Sequence, residues 1–480
     1  MAMVDECCAK SGSDESRNWA LVHFGEAKLG DKRRTRRLVQ LAAAITEDPS
    51  RSLPKQLPAW SDLIGAYRLL SNAQVDPQAI LQPHLAWTLQ QAQGCPVVLC
   101  VQDDTQLDFG GRSGMRGLGI IGDGRGQGLV QHGALAVLPD KRLLGILDLR
   151  WFAAEKTPDG EPRRARQKRW TTRDVWPEAI EHIGSWPVGV QLIHVGDRAA
   201  DLYRFMHTAK NMGHGFVVRA MHDRTVDGTA EHLWEKLPRQ PRLGSMCVTL
   251  GKQGDGKGLR AGRDGRSAEL TIRAAPIQVA PPAADPRTKG AVSLELWAVY
   301  LVEEHPPKDI EPVEWMLITS LEVKTLAQAQ TIIGYYTCRW VIEEWHRCLK
   351  EGCRIEASQL DDGRDIQRLG AVLAIVAVRL LQMRDLADAQ TPAADAPETL
   401  RELVPPLYVT LVAGLAKCVP ELLTPRLFWR TIAKRGGYLD RKRDPRPGWK
   451  VLWRGWSDVV QMVRGVELYQ RIMKGGITSV

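Results

Sequence analysis

The chain has 480 residues, a net charge of +9 and an isoelectric point of about 9.1. This length exceeds a single hydrophobic core, so about two to four domains are expected, and the positive charge favours a polyanionic partner, nucleic acid ahead of a membrane surface. The cysteines show no CxxC pair and no Cys/His metal spacing, which argues against a zinc site or a disulfide scaffold. No apolar run reaches the ~18 residues of a membrane span.

The N-terminal part of the chain is predicted to be a polar tail over residues 1–16 followed by helices over residues 17–93. One helix is expected to begin after Asp31, a residue type that caps helix N-termini. Its first turns, Lys32–Arg37, carry five cations that oppose the helix dipole. A nearby phosphate would relieve this repulsion, although a solvated helix end is the alternative.

Two apolar runs, each followed by an acid, are predicted to be buried strands. The first covers residues 96–102 and leads into Asp103 and Asp104; the second covers residues 188–195 and leads into Asp197. Each acid either serves a site at the edge of a sheet or begins a polar loop. Because adjacent side chains of a strand point to opposite faces, only one of Asp103 and Asp104 can face such a site.

Further strands are predicted around and after these two. Apolar runs at 132–138 and 142–152 indicate a hairpin, and residues 215–221 form another strand with Arg219 near its end. Short alternating runs then favour a β-rich segment over residues 222–327. Trp315 in this segment is either a core residue of a strand or an aromatic platform for a nucleic-acid base.

The segment Tyr336–Lys350 is predicted to be one amphipathic helix. Its apolar side is formed by Val341, Ile342, Trp345, Cys348 and Leu349. Its polar side is formed, within an arc of about 80°, by Tyr336, Arg339, Glu343, Arg347 and Lys350. A solvated face is the common explanation of such a stripe. A single carboxylate among cations also suits a metal ion beside a phosphate backbone.

Helices are predicted over the C-terminal residues 369–480. Trp449, Trp453 and Trp456 recur at three- and four-residue spacing there. Such a stripe is more often core than interface.

The pattern Y-x2-R-x3-E-x6-K, read as Tyr336, Arg339, Glu343 and Lys350, resembles the signature of the IS-four family of cut-and-paste DDE transposases. The segments LGDKRR, GAYR and DRAAD resemble other motifs of that family. The resemblance implies an α/β fold with a ribonuclease-H-like catalytic core. That core would comprise residues 94–221 and 328–368, with the β-rich insertion 222–327 between them. It also implies a helical end-recognition domain over 17–93 and a helical dimerisation domain over 369–480.

The resemblance also implies roles for individual residues. Asp103, Asp197 and Glu343 would be the catalytic residues and would bind two Mg²⁺ or Mn²⁺ ions, a cation type that oxygen-only ligands suit. Trp315 would stack on a flipped base. The remaining implied DNA contacts are Tyr336, Arg339, Lys350, Arg347, Arg219, Arg33, Arg34, Arg37 and Arg68.

The implied activity is DNA transposition by a homodimer bound to the double-stranded ends of the element. Such an enzyme nicks each end, forms and opens a hairpin, and joins the freed 3′ ends to target DNA, all by phosphodiester substitution. It would act in the bacterial cytoplasm at the nucleoid, without a membrane partner. Two alternatives are a non-catalytic DNA-binding inhibitor of transposition and a metal-dependent nuclease of the same fold that does not join strands.

Overall fold

In this computed structural model the described residues are 14–473 without 113, 157, 159, 163–164, 166–168, 251–264, 309, 389–394, 442–443 and 445–446. Most of the predicted tail, residues 1–13, lies outside them. Residues 14–16 already belong to the first helix.

Five helices form the N-terminal part of the structure. They are α1 Asp14–Phe24, α2 Lys32–Glu47, α3 Leu53–Gln56, α4 Trp60–Leu70 and α5 Pro77–Ala92. The predicted start of the second helix is confirmed, because the Asp31 carboxylate accepts a hydrogen bond from the Arg33 backbone N–H at 2.8 Å. Behind this charged first turn, α2 buries its apolar residues, including Leu38 and Leu41, against its neighbours.

A single large sheet forms the middle part of the molecule. Its strands are β1 Val97–Asp108, β2 Gly119–Ile121, β3 Gly126–Val137, β4 Leu143–Phe152, β5 Gln191–Gly196, β6 Gly215–Arg219, β7 Arg242–Leu250, β8 Arg266–Val279, β9 Leu294–Val302 and β10 Glu314–Thr319. Their order is β2–β3–β1–β5–β6–β10–β9–β8–β7, and β4 also pairs with β3. The helices α6 Val175–Ile183, α7 Tyr203–Asn211 and α8 Leu233–Lys236 lie between these strands in the sequence.

The pairing around β1 is that of a ribonuclease-H-like core. Strand β1 pairs antiparallel with β3 and parallel with β5, and β5 pairs parallel with β6. Residues Val98–Val101 of β1 are fully buried, which explains their continuous apolar run. The predicted hairpin is confirmed as β3–β4. The mixed α/β fold class expected from the sequence is therefore correct.

The β-rich segment continues this sheet. Strand β10 pairs antiparallel with β6, and β9, β8 and β7 follow outward in reverse chain order. The Gly- and Arg-rich connection between β7 and β8 falls on residues 251–264, outside the described residues.

Helices complete the chain after the last strand. They are α9 Leu326–Thr337, α10 Trp340–Arg347, α11 Gly363–Asp388, α12 Pro397–Leu403, α13 Pro406–Ala416, α14 Pro425–Arg435 and α15 Trp449–Met473. Contrary to the expectation from sequence, the Gly363–Met383 part of α11 is long and apolar enough to cross a bilayer. However, 89% of its most apolar window is buried inside the protein, as in a core helix. The tryptophan stripe of α15 is also buried, which confirms its interpretation as core.

Candidate active site

The segment Tyr336–Lys350 is not the single helix that its periodicity predicts. Helix α9 ends at Thr337, Arg339 is the N-cap residue of α10, and a π-helical turn, Cys348–Gly352, follows α10. The predicted apolar side is correct, since all five of its residues are buried. The predicted polar side is wrong at Tyr336, which belongs to the preceding helix and is only 5% exposed.

Helix α10 approaches the sheet at a glycine that lies opposite Asp103. Gly133 of β3 pairs with Asp103 in the β1–β3 register. A Cβ atom at Gly133 would lie 2.7 Å from Cζ3 of Trp345. The buried Trp345 indole also donates a hydrogen bond to the Ala374 carbonyl of α11 at 3.0 Å. Since Trp345 is two residues after Glu343, this close contact sets how near Glu343 comes to β1.

The ends of two parallel strands bring Asp103 and Asp197 together. Pairing between β1 and β5 stops at Val101, although β1 itself continues to Asp108, further than predicted. Asp103 therefore lies just beyond the end of β5, and Asp197 directly follows β5. Burial, and next the negative charge of Asp197, raise the pKa of Asp103 to about 7, while Arg339 opposes this shift.

Arg339 connects Asp103 with Glu343. Its Nη1 lies 3.2 Å from Oδ2 of Asp103, and its Nη2 lies 2.6 Å from Oε1 of Glu343. The side chains of Arg339 and Asp103 are only 12% and 16% exposed, so this pairing is shielded from solvent. Two acids that are far apart in the sequence thus meet at one guanidinium, beside the third acid, Asp197.

The three carboxylates suit a divalent cation in their chemistry. They form an oxygen-only donor set, which matches Mg²⁺ or Mn²⁺ better than zinc. The raised pKa of Asp103 reflects excess negative charge in a buried place, which a cation would relieve. Across the described residues, however, no three His, Cys, Asp or Glu side chains are already arranged to hold a metal ion. The guanidinium of Arg339 lies between two of the candidate ligands instead.

Asp104 faces away from this site. Its Oδ1 lies 2.5 Å from Nδ1 of His132, which is completely buried on β3. His132 also contacts Gln102, and Gln102 in turn contacts His194 at 3.0 Å. Strand alternation thus turns Asp103 to Arg339 and Asp104 to a buried polar network.

This network was not predicted from the sequence. Gln102 and Asp104 are two residues apart and so share a face of β1, which was an available signal. Their histidine partners lie in other apolar strands, and no local pattern identifies them.

Several of the predicted DNA contacts border one cleft beside the carboxylates. The cleft has a volume of about 1060 Å³ and is lined by Arg219, Trp315, Tyr336 and Arg339. The rings of Trp315 and Tyr336 meet edge to face with centroids 5.1 Å apart, and the Arg219 guanidinium lies 5.9 Å from the Trp315 ring. The residues of this cleft that the sequence did not indicate include Lys141, Arg198, Arg266 and Trp340.

Two predicted contacts lie further along the chain. Arg347 is exposed at the end of α10, and Lys350 is partly exposed in the π-helical turn. Neither residue lines the cleft.

The N-terminal arginines predicted to contact DNA differ in their surroundings. Arg37 pairs with Asp62 at 2.8 Å, and Arg34 donates to the Leu29 carbonyl at 3.0 Å. Arg37 thereby connects α2 with α4, and Arg34, which also donates to Oε1 of Gln74 at 2.6 Å, connects α2 with the segment after α4. The side chain of Arg33 pairs with the Asp31 carboxylate yet remains 87% exposed, and Arg68 is also exposed.

A second group of exposed cations lines a groove of about 640 Å³ between α1 and α2. The sequence did not single these residues out as a group. They are Arg17, Lys28, Lys32 and Arg36.

Comparison with known protein families matches two parts of the chain. Residues 16–75 match the family described as Transposase DNA-binding, and residues 155–379 match the Transposase DDE domain. The first match covers α2, α3 and α4, and all of α1 except Asp14 and Glu15. The second includes Asp197, Arg339 and Glu343, whereas Asp103 lies upstream of it. A transposase DNA-binding domain ahead of a DDE domain on a ribonuclease-H-like core supports a DDE transposase, an enzyme that cleaves and transfers DNA.

Proposed function

We propose that the protein is a cut-and-paste transposase of the IS-four family, similar within it to the transposase of transposon five. It binds the ends of its element, cuts both strands through a hairpin, and joins the 3′ ends to target DNA. The observation that carries this proposal is the contact of Arg339 with both Asp103 and Glu343, beside Asp197. These are the three acids expected from the family motifs.

Asp103, Asp197 and Glu343 would hold two Mg²⁺ or Mn²⁺ ions, in keeping with the general use of divalent metals by DDE domains. When bound, such ions supply activation of a water or a 3′-hydroxyl and stabilisation of the leaving oxygen. The protein itself positions the three acids and balances their charge. Gly133 allows Glu343 to approach β1, and Arg339 neutralises the acids while DNA is absent.

The cleft suits a DNA strand that is bent sharply at the site. Its arginine side chains offer charge-assisted hydrogen bonds to phosphates. The partly buried Trp315 ring, supported edge-on by Tyr336, offers a surface for one unstacked base. Stacking of this kind contributes roughly 1–3 kcal/mol per base, and a hairpin turn requires an unstacked base.

The other parts of the chain would bring the DNA ends to this site. Residues 17–93 would recognise the end duplex, with Arg33 and Arg68 available to phosphates because they are exposed. Residues 369–480 would pair two copies. Exposed apolar side chains near the end of α15, among them Leu468, Tyr469 and Ile472, favour such a contact. The dimer would act on DNA in the bacterial cytoplasm at the nucleoid.

The test is cleavage of a duplex that carries the element's own terminal repeat, in the presence of Mg²⁺. We expect Glu343→Gln to lose about 100-fold or more in cleavage and to retain end binding, with the neighbouring Glu344→Gln as the matched control. Unchanged cleavage by Glu343→Gln would remove this residue from the site. A wild-type protein that binds ends without cleaving them would be the inhibitor, and cleavage without strand joining would identify a nuclease.

A further inference from the structure

Arg339 is a buried cation that two acids share. Its two terminal nitrogens contact Asp103 and Glu343, and Asp197 adds a third negative charge beside Asp103. The guanidinium thus provides the positive charge that a divalent ion would otherwise provide at this point. Since carboxylate oxygens held by a guanidinium are less available to a metal ion, the two cations compete for the same ligands.

Arg339 also lines the cleft beside the carboxylates. Its Nε is buried and has no hydrogen-bond acceptor, so one donor remains unsatisfied in the present pairing. Its guanidinium carbon lies 5.2 Å from the Trp340 ring, within the range of a cation–π contact. Arg198 and Arg219 line the same cleft and would draw a DNA phosphate to it.

We propose that Arg339 is a displaceable counter-cation, which occupies the carboxylates in the free protein and moves to a DNA phosphate when an end is bound, so that divalent-cation binding and DNA binding are coupled. This inference rests on the proposed function, because it takes Asp103 and Glu343 as metal ligands. It adds that the free protein holds its metal site closed. By linkage, metal must tighten DNA binding by the same factor by which DNA tightens metal binding.

The experiment measures Mn²⁺ binding to the full chain by the electron paramagnetic resonance signal of free Mn²⁺. It is done with and without a pre-cleaved duplex carrying the element's terminal repeat, so that no cleavage disturbs the equilibrium. Wild type is compared with Arg339→Met, which keeps the length of the side chain and removes its charge. The matched control is Arg239→Met, an arginine that is 71% exposed and does not line the cleft. Circular dichroism verifies that each variant is folded.

We expect DNA to tighten Mn²⁺ binding to wild type by about tenfold or more. Arg339→Met should bind Mn²⁺ tightly already without DNA, and DNA should add little, while Arg239→Met should behave as wild type. The proposed movement of Arg339 from the carboxylates to a DNA phosphate would be overturned if Arg339→Met and wild type bound Mn²⁺ with equal affinity in the absence of DNA. It would also be overturned if DNA did not change the Mn²⁺ affinity of wild type.

A second variant separates this idea from the proposed function. Asp103→Asn in the Arg339→Met protein should abolish the tight Mn²⁺ binding. If tight Mn²⁺ binding persists in this double variant, the metal site itself is misassigned, and the proposed function fails together with the proposed role of Arg339. If the double variant loses tight Mn²⁺ binding, but DNA tightens Mn²⁺ binding to Arg339→Met as much as to wild type, only the role of Arg339 is refuted.

Discussion

The close contact between Gly133 and Trp345 predicts that one added methyl group at Gly133 of β3 disturbs the site next to Asp103 of β1. In Gly133→Ala the new Cβ would lie 2.7 Å from Cζ3 and 3.2 Å from Cη2 of Trp345. The indole cannot turn away easily, because it is completely buried and bonded to the Ala374 carbonyl. We therefore expect helix α10 to move outward and the free energy of unfolding to fall by about 1–3 kcal/mol.

The larger effect should be on catalysis, since Glu343 moves with the helix. A displacement of about 1 Å at a catalytic group can cost about 100-fold in rate. The assays are urea unfolding and Mg²⁺-dependent cleavage of an end duplex.

Two further variants test the cause. Gly334→Ala is the control, because a Cβ there meets no atom within 4 Å and helical alanine is favourable. Trp345→Phe, which removes the clashing ring atoms, should restore part of the activity of Gly133→Ala. Wild-type cleavage by Gly133→Ala, or no rescue by Trp345→Phe, would refute the reasoning.

Three further perturbations follow from the same geometry. Asp103 has a pKa of about 7 in the folded protein and about 3.8 in the unfolded chain, so the folded state binds the proton more tightly. The free energy of unfolding of the metal-free protein should therefore fall by up to about 4 kcal/mol as the pH rises between these two values. Urea titrations should show this decline for wild type and a flatter one for Asp103→Asn. His132→Leu should destabilise the protein by about 2–5 kcal/mol because it leaves both the buried Gln102 amide and the partly exposed Asp104 carboxylate without their partner. Exposed His305→Leu should change stability by less than about 0.5 kcal/mol. Trp315→Ala should slow hairpin formation by about 10-fold or more while the first nick persists, and Trp315→Phe should retain most of the rate, as gel analysis of the intermediates would measure.

Local patterns were sufficient for the strands that carry the acids. Mostly apolar runs predicted the buried strands β1 and β5, because a strand that is covered on both faces carries few polar residues. The polar residues that these strands do bury, Gln102 and His194, contact each other. The apolar side of α10 was equally visible in the spacing of Val341, Trp345 and their neighbours. The break between α9 and α10 was not, since residues 338–339 contain neither glycine nor proline.

The part of the site that depends on distant residues could not be predicted from local patterns. The Arg339 contact with Asp103 joins segments separated by 236 positions. Likewise, the sequence predicted Arg37 as a DNA contact, and in the structure its guanidinium pairs with the Asp62 carboxylate of another helix. In both cases the charge of the side chain was evident, and its partner was decided by the packing of whole elements.

The core helix α11 contacts both of the regions that the family models match. From its middle, the Ala374 carbonyl accepts the indole N–H that holds the helix of Glu343. Near its start, buried Arg368 donates to the backbone carbonyls of Leu70 and Val75, at the end of the DNA-binding region, at 2.9 and 2.6 Å. Because a buried guanidinium without these acceptors would be costly, the joint is strongly favoured. In the proposed function, a DNA end held by the N-terminal helices would thereby be kept at a set position relative to Glu343, through a single helix of 26 residues.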